Sequence, residues 1–169
     1  YDIVTSSIEH HAVLHPCQKA EQGGVSVAYL PVDHDGLVSV TNLAQNIGRS
    51  ETLVSIMMAN NEIGSIQPIK DLCEVAHSKG ALFHTDAVQA VGHIRIDVHD
   101  LGVDMLSASA HKFNGPKGIG FLYVRKGIDM SPYISGGGQE YGLRSGTENV
   151  ASIVGMAVAL RENIESLEK

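Results

Sequence analysis

Short apolar runs alternate along the chain with stretches whose apolar residues recur every three or four positions. The runs at 3–5, 25–32, 53–58, 81–84, 104–107 and 120–124 are rich in aliphatic and aromatic residues and read as strands. The stretches at 12–22, 40–47, 68–79 and 150–167 read as helices, the last one long and amphipathic. Gly23-Gly24 stops the first helix, Asp33-His34-Asp35-Gly36 forms a turn, Pro68 suits a first helical position, and Gly80 ends that helix. The run 53–58 is almost continuously apolar, as suits a strand buried on both faces. This alternation predicts an α/β domain, a mainly parallel sheet with helices on both faces. In such sheets ligands bind beyond the carboxyl ends of the strands. Asn61, Asp86 and Lys112 each follow one of three consecutive strands there.

With 169 residues, 43% apolar and 18% charged, the chain has the makeup of one globular domain. Its net charge of −7, with no basic stripe, argues against nucleic acid as a partner. No apolar run reaches the length of a membrane span. Cys17 and Cys73 are spaced neither as a disulfide framework nor as a metal site, and free thiols suit a reducing cytoplasm. The chain opens on Tyr1 rather than methionine, so the expectation is a fragment of a longer protein.

Two segments carry most of the candidate chemistry. Phe83-His84-Thr85-Asp86-Ala87-Val88-Gln89 ends a strand in a carboxylate. Ser107-Ala108-Ser109-Ala110-His111-Lys112-Phe113-Asn114-Gly115-Pro116-Lys117-Gly118 sets a lysine in a loop of small residues. Together they form the minimal equipment for pyridoxal phosphate (PLP). The lysine amine forms a Schiff base with the aldehyde, and the aspartate keeps the ring nitrogen protonated so that the ring acts as an electron sink. Each residue also has a plainer reading. Asp86 alone is a helix N-cap for a helix starting at Ala87, Gln89 an exposed glutamine, and Lys112 a solvated charge. His10 is a surface histidine or a flat ring stacked on the pyridine, able to move protons. His11 and His15 have the spacing of a metal pair, but no third ligand follows, so no metal is expected. Asn60-Asn61-Glu62-Ile63-Gly64 is a turn by composition. Arg144-Ser145-Gly146-Thr147-Glu148-Asn149 is a connector in which Thr147 caps the last helix, or else an anion contact at a helix N-terminus.

The stretches Thr5-Ser6-Ser7-Ile8-Glu9-His10, Met58-Ala59-Asn60-Asn61-Glu62-Ile63-Gly64, His84-Thr85-Asp86-Ala87-Val88-Gln89, Ser109-Ala110-His111-Lys112 with Gly115-Pro116-Lys117-Gly118, and Arg144-Ser145-Gly146-Thr147 resemble fold-type I PLP enzymes of the class V aminotransferase group. Within that group they are most similar to the cysteine desulfurases of the NifS and IscS kind. The resemblance implies a three-layer α-β-α large domain, with an N-terminal segment and a C-terminal small domain outside residues 1–169. It implies that His10 stacks on the ring, Asn61 and Gln89 contact its phenolate oxygen, and Asp86 pairs with its nitrogen. Ser109 and His111 would hold the phosphate, Lys112 would carry the cofactor, and Thr147 would reach the phosphate of a neighbouring subunit in a homodimer. Ala110 stands where this family often has glycine. The implied reaction takes L-cysteine to L-alanine, with Lys112 and His10 moving protons. The sulfur passes as an enzyme persulfide to an acceptor such as an iron–sulfur scaffold. The persulfide cysteine and the substrate-binding arginine would lie outside this chain, so the isolated fragment is expected to be inactive. A selenocysteine lyase, another class V enzyme and a non-catalytic truncated domain are the rival readings.

Overall fold

The computed structural model describes residues 1–48 and 51–167. Six strands, β1 (Asp2–Ser6), β2 (Ser26–Leu30), β3 (Thr52–Ser55), β4 (Leu82–Asp86), β5 (Met105–Ser109) and β6 (Gly120–Val124), form one sheet in the order β2-β1-β3-β4-β5-β6. All neighbours are parallel except β5 and β6, which run antiparallel. The exception follows from the connection. A parallel crossover needs a dozen or more residues and usually a helix, whereas β5 and β6 are joined by residues 110–119, which hold one turn of 3-10 helix (Ala110–Phe113).

The helices are α1 (His11–Gln22), α2 (Val40–Asn46), α3 (Ile69–Ser78), α4 (Val98–Leu101) and α5 (Val150–Leu167). Helix α4 was not legible in the apolar pattern; it is one turn, held by the Asp97 carboxylate accepting from the His99 and Asp100 amides. Alternation along the strands sorts the two faces. Val4, Leu30, Val54, Phe83 and Leu106 point to a core shared with Leu43 of α2, Leu72 and Cys73 of α3, and Ala159 of α5. Ile3, Tyr29, Ser55 and His84 alternate with them onto the other face, where α1 lies with Cys17 and Glu21 close enough to influence Tyr29. The expected mainly parallel sheet with helices on both faces is therefore present, though the layers are unequal. Leu82 and Leu122, on the α1 face, are exposed.

The strand expected over 53–58 is regular only to Ser55. Ile56 and Met58 still donate to the carbonyls of His84 and Asp86 on β4. On the other side β1 has already ended at Ser6, and the Met57 amide donates instead to the Glu9 carboxylate at 2.8 Å. The ladder stops where its partner strand stops.

Candidate functional site

The residues that follow β3, β4 and β5 gather at the carboxyl edge of the sheet. Asp86 closes β4, opposite Ser107 of β5. The helix expected from Ala87 does not form. The Ala90 and Val91 amides both return to the Ala87 carbonyl in a tight turn, and Asp86 Oδ1 accepts from the Val88 amide at 2.9 Å. Asp86 thus caps a turn, with its second oxygen unassigned and no cation paired with it among the described residues. Gln89 lies half-buried in the same turn.

After β5 the chain enters the 3-10 turn that carries His111 and Lys112. Asn114 ends the turn in the left-handed region (φ 64°), which asparagine tolerates better than most residues. The Gly115 amide closes the turn onto the Ala110 carbonyl. The Ser109 hydroxyl and His111 Nδ1 lie 2.8 Å apart, both facing solvent. The Lys112 side chain is exposed, while its carbonyl accepts from His93 Nε2 at 2.8 Å. A carbonyl only accepts, so His93 carries its proton on Nε2. Beneath the turn, Phe113 is fully buried against Gly92. Gly92 has φ +80°, and a Cβ there would come 2.6 Å from the Phe113 Cβ. Gly92→Ala should therefore cost about 2–4 kcal/mol, from left-handed strain plus overpacking. Chemical denaturation measures it, and a loss below about 0.5 kcal/mol would show that the turn is not braced this way.

His10 is the N-cap of α1, and its Nδ1 accepts from the Ala12 amide at 3.1 Å. That bond leaves Nε2 as the free ring nitrogen. His10 and Asn61 line one cleft of about 250 Å³, together with Ser7, Glu9 and Asn60. The two asparagines differ in kind. Asn60 is buried and structural: its amide donates to the Ile8 carbonyl, and its Oδ1 accepts from the Glu62 and Ile63 amides. Asn61 is exposed and free to meet a ligand.

Glu9 was missed as a site residue. It is 5% exposed, and its Oε1 accepts from the Ser6 hydroxyl at 2.6 Å and from the Met57 amide at 2.8 Å. Burial pushes its carboxyl up to about 7 and the charge of Asp86 raises it further, while hydrogen bonding to Ser6, through both its side chain and its backbone, and to the Met57 amide pulls it down. A sequence signal existed: Ser6-Ser7-Ile8-Glu9 has the spacing of a capping box, here folded into a side-chain pair before the helix rather than around its first turn.

Thr147 is not drawn in. It is exposed, and Asn149 rather than Thr147 caps α5, with Oδ1 accepting from the Ser152 amide. Ser55, His84 and Ser107 form a hydrogen-bonded row across β3, β4 and β5, each link 2.8 Å. Burial holds His84 below the usual imidazole range, so it is the neutral middle of that row. Both cysteines are buried. Burial pushes the Cys73 thiol up to about 11 and also raises Cys17.

The donor set has a definite chemistry. One half-buried carboxylate has a free oxygen for a cation. A hydroxyl and an imidazole side by side suit an anion, an exposed amine directly follows that imidazole, and a capping imidazole lines the cleft after β1. That set fits a group with a basic ring nitrogen, an aldehyde and a phosphate.

The family model described as "Aminotransferase class-V" matches residues 1–168, and the chain belongs to that family. Within it, the chain is 53% identical over 167 residues to the "Cysteine desulfurase IscS" of Dictyoglomus turgidum, covering 99% of this chain and 42% of that protein. It is 56% identical over 157 residues to the protein of the same name from Methanosarcina thermophila, covering 93% and 39%. A solved "NIFS-LIKE PROTEIN" superposes with a TM-score of 0.96 at 47% identity over 99% of this chain and 46% of that one. "SspA in complex with cysteine" does so with 0.92 at 46% identity over 95% and 47%. The chain thus spans about two-fifths of the length of the curated relatives it matches.

Proposed function

We propose that this chain is the PLP-holding large domain of a cysteine desulfurase, acting on L-cysteine in the cytoplasm as part of a homodimer and supplying sulfur to an iron–sulfur scaffold or a similar acceptor. The carrying observation is the convergence of Asp86, Ser109, His111 and Lys112 at adjacent strand ends, with His10 and Asn61 lining a cleft at the neighbouring ends of β1 and β3. When bound, PLP supplies an electron sink for the substrate's carbanion.

The chain's own residues then have separable tasks. Asp86 offers a carboxylate oxygen to the ring nitrogen and keeps its proton in place. The Ser109 hydroxyl and His111 ring donate to the phosphate, and Asn61 and Gln89 orient the ring oxygen. The Lys112 amine, on a turn braced by Phe113 and His93, holds the cofactor and moves a proton at the substrate carbon. His10, fixed by its cap bond through Nδ1, presents its ring with Nε2 free to exchange a proton. Thr147, exposed in the loop before α5, would reach the phosphate held by a neighbouring subunit. The sulfur-accepting thiol is neither Cys17 nor Cys73: both are buried with raised thiols, the reverse of a reactive thiolate.

Borohydride reduction of the PLP-treated protein, followed by peptide mapping, should place the pyridoxyl label on Lys112. Label on Lys117 or Lys126 instead would defeat the assignment. Sulfide release from L-cysteine that disappeared in a Cys17→Ala or Cys73→Ala variant would defeat the exclusion of those thiols.

A further inference from the structure

Glu9 lies in the turn between β1 and α1, one residue before the histidine that caps α1. Its Oε1 is fully engaged by Ser6 and Met57, whereas Oε2 is buried with no hydrogen-bond partner. The Met57 amide is the group that β1, having ended at Ser6, no longer takes. The Glu9 carboxyl therefore replaces a missing ladder bond and joins the His10 turn to the end of β3. We infer that Glu9 is a positioning residue for His10: its uncharged carboxyl ties the β1–α1 turn to Met57, and ionisation of that carboxyl releases the turn. The value of this tie rests on the reading of His10 as the residue that lies against the cofactor ring.

The physical case starts from Oε2. Two donors meet Oε1 and none meets Oε2, so ionisation spreads negative charge onto a buried oxygen without a donor, which is disfavoured. The titratable groups near Glu9 do not help: Asp86 at the end of β4 adds negative rather than positive charge, the Cys17 thiol on α1 is raised by burial and stays uncharged, and His10 and His11 line the same cleft. Burial first, and Asp86 as a lesser cause, place the folded carboxyl at about 7 against an ordinary value of 4.5. The folded-state value is the higher one. The folded turn thus keeps a proton that an opened turn releases, its stabilisation is complete below pH 4.5, and it is lost as pH rises through about 7. Across that window the opening equilibrium climbs by up to about tenfold per pH unit and then levels off.

Hydrogen exchange on the chain without cofactor reads this directly. Protection factors of the Met57 and Ala12 amides, which remove the intrinsic pH dependence of exchange, should fall by up to about tenfold per pH unit over the window. In Glu9→Gln, which keeps an acceptor oxygen but cannot ionise, they should stay flat. The side-chain carbon signal of Glu9 should titrate near neutrality. Ser6→Ala removes a hydrogen bond that favours the ionised form, so it should move that midpoint upward; this variant carries the test if Glu9→Gln does not fold. Titration of Glu9 in the ordinary carboxylate range, an unmoved or lowered midpoint in Ser6→Ala, or the same pH-dependent protection in Glu9→Gln as in the wild type would each overturn the inference. No cofactor or substrate enters these measurements. Failure of PLP to load Lys112 would therefore count against the proposed function and leave the Glu9 result standing.

Discussion

Asp86→Asn should lower turnover of the PLP-loaded enzyme about 10²- to 4 × 10³-fold while leaving the fold intact. The carboxylate is the negative partner available to a ring nitrogen at the end of β4, and no cation of the protein competes for it among the described residues. Losing one partner of a desolvated ion pair costs about 3–5 kcal/mol, and each 1.4 kcal/mol or so on a barrier is a factor of about ten. The asparagine oxygen still accepts from the Val88 amide, so the turn after β4 survives and the thermal midpoint should hardly move. Steady-state kinetics beside a melting curve separates the two effects. Near-wild-type turnover in a folded variant would refute the pairing of Asp86 with the ring.

The second large effect is on stability and lies at the opposite edge of the sheet. Asp104 is 2% exposed. Its Oδ2 accepts from the Phe83 amide at 2.7 Å and from His77 Nε2 at 2.8 Å, and its Oδ1 accepts from Arg125 at 2.9 Å. Arg125 also donates to the Gly102 carbonyl. One carboxylate therefore joins α3, the start of β4 and the residue after β6. Asp104→Ala leaves the Phe83 amide unpaired inside the core and strips Arg125 of its counter-charge. The expected loss is about 3–5 kcal/mol, a large part of the roughly 5–15 kcal/mol that holds a domain of this kind. Asp104→Asn, which keeps one acceptor, should lose about half as much. Denaturant titration measures both, and a loss under about 1 kcal/mol for the alanine variant would mean that water replaces the carboxylate at little cost.

The strands, the long helices and the stops between them were legible because their signals are local. Alternation, 3.6-residue periodicity, Pro68 before α3 and the glycines after α1 and α3 depend on neighbours along the chain. The candidate residues Asp86, Ser109, His111 and Lys112 were legible for a related reason: each sits just after an apolar run, and such a run almost has to be a strand. What the pattern missed are features whose cause lies far away in sequence. Asn60 and Asn61 are chemically alike, and only the approach of Ile8 makes Asn60 structural and leaves Asn61 free. The turn after Asp86 is not a helix because its backbone folds back at Ala87 and packs Gly92 on Phe113.

The sequence by itself determined a mainly parallel α/β sheet and the set of polar groups at its carboxyl edge, because periodicity and turn chemistry are properties of adjacent residues. Tertiary structure alone decided the antiparallel β6, the transfer of the α5 cap from Thr147 to Asn149, the burial of both thiols and the burial of Glu9. Each of these depends on which strand ends beside which, and on how much water is left between them. At Glu9 that physics is plainest: β1 stops at Ser6, the Met57 amide loses its strand partner, and a carboxyl group is drawn out of water to replace it.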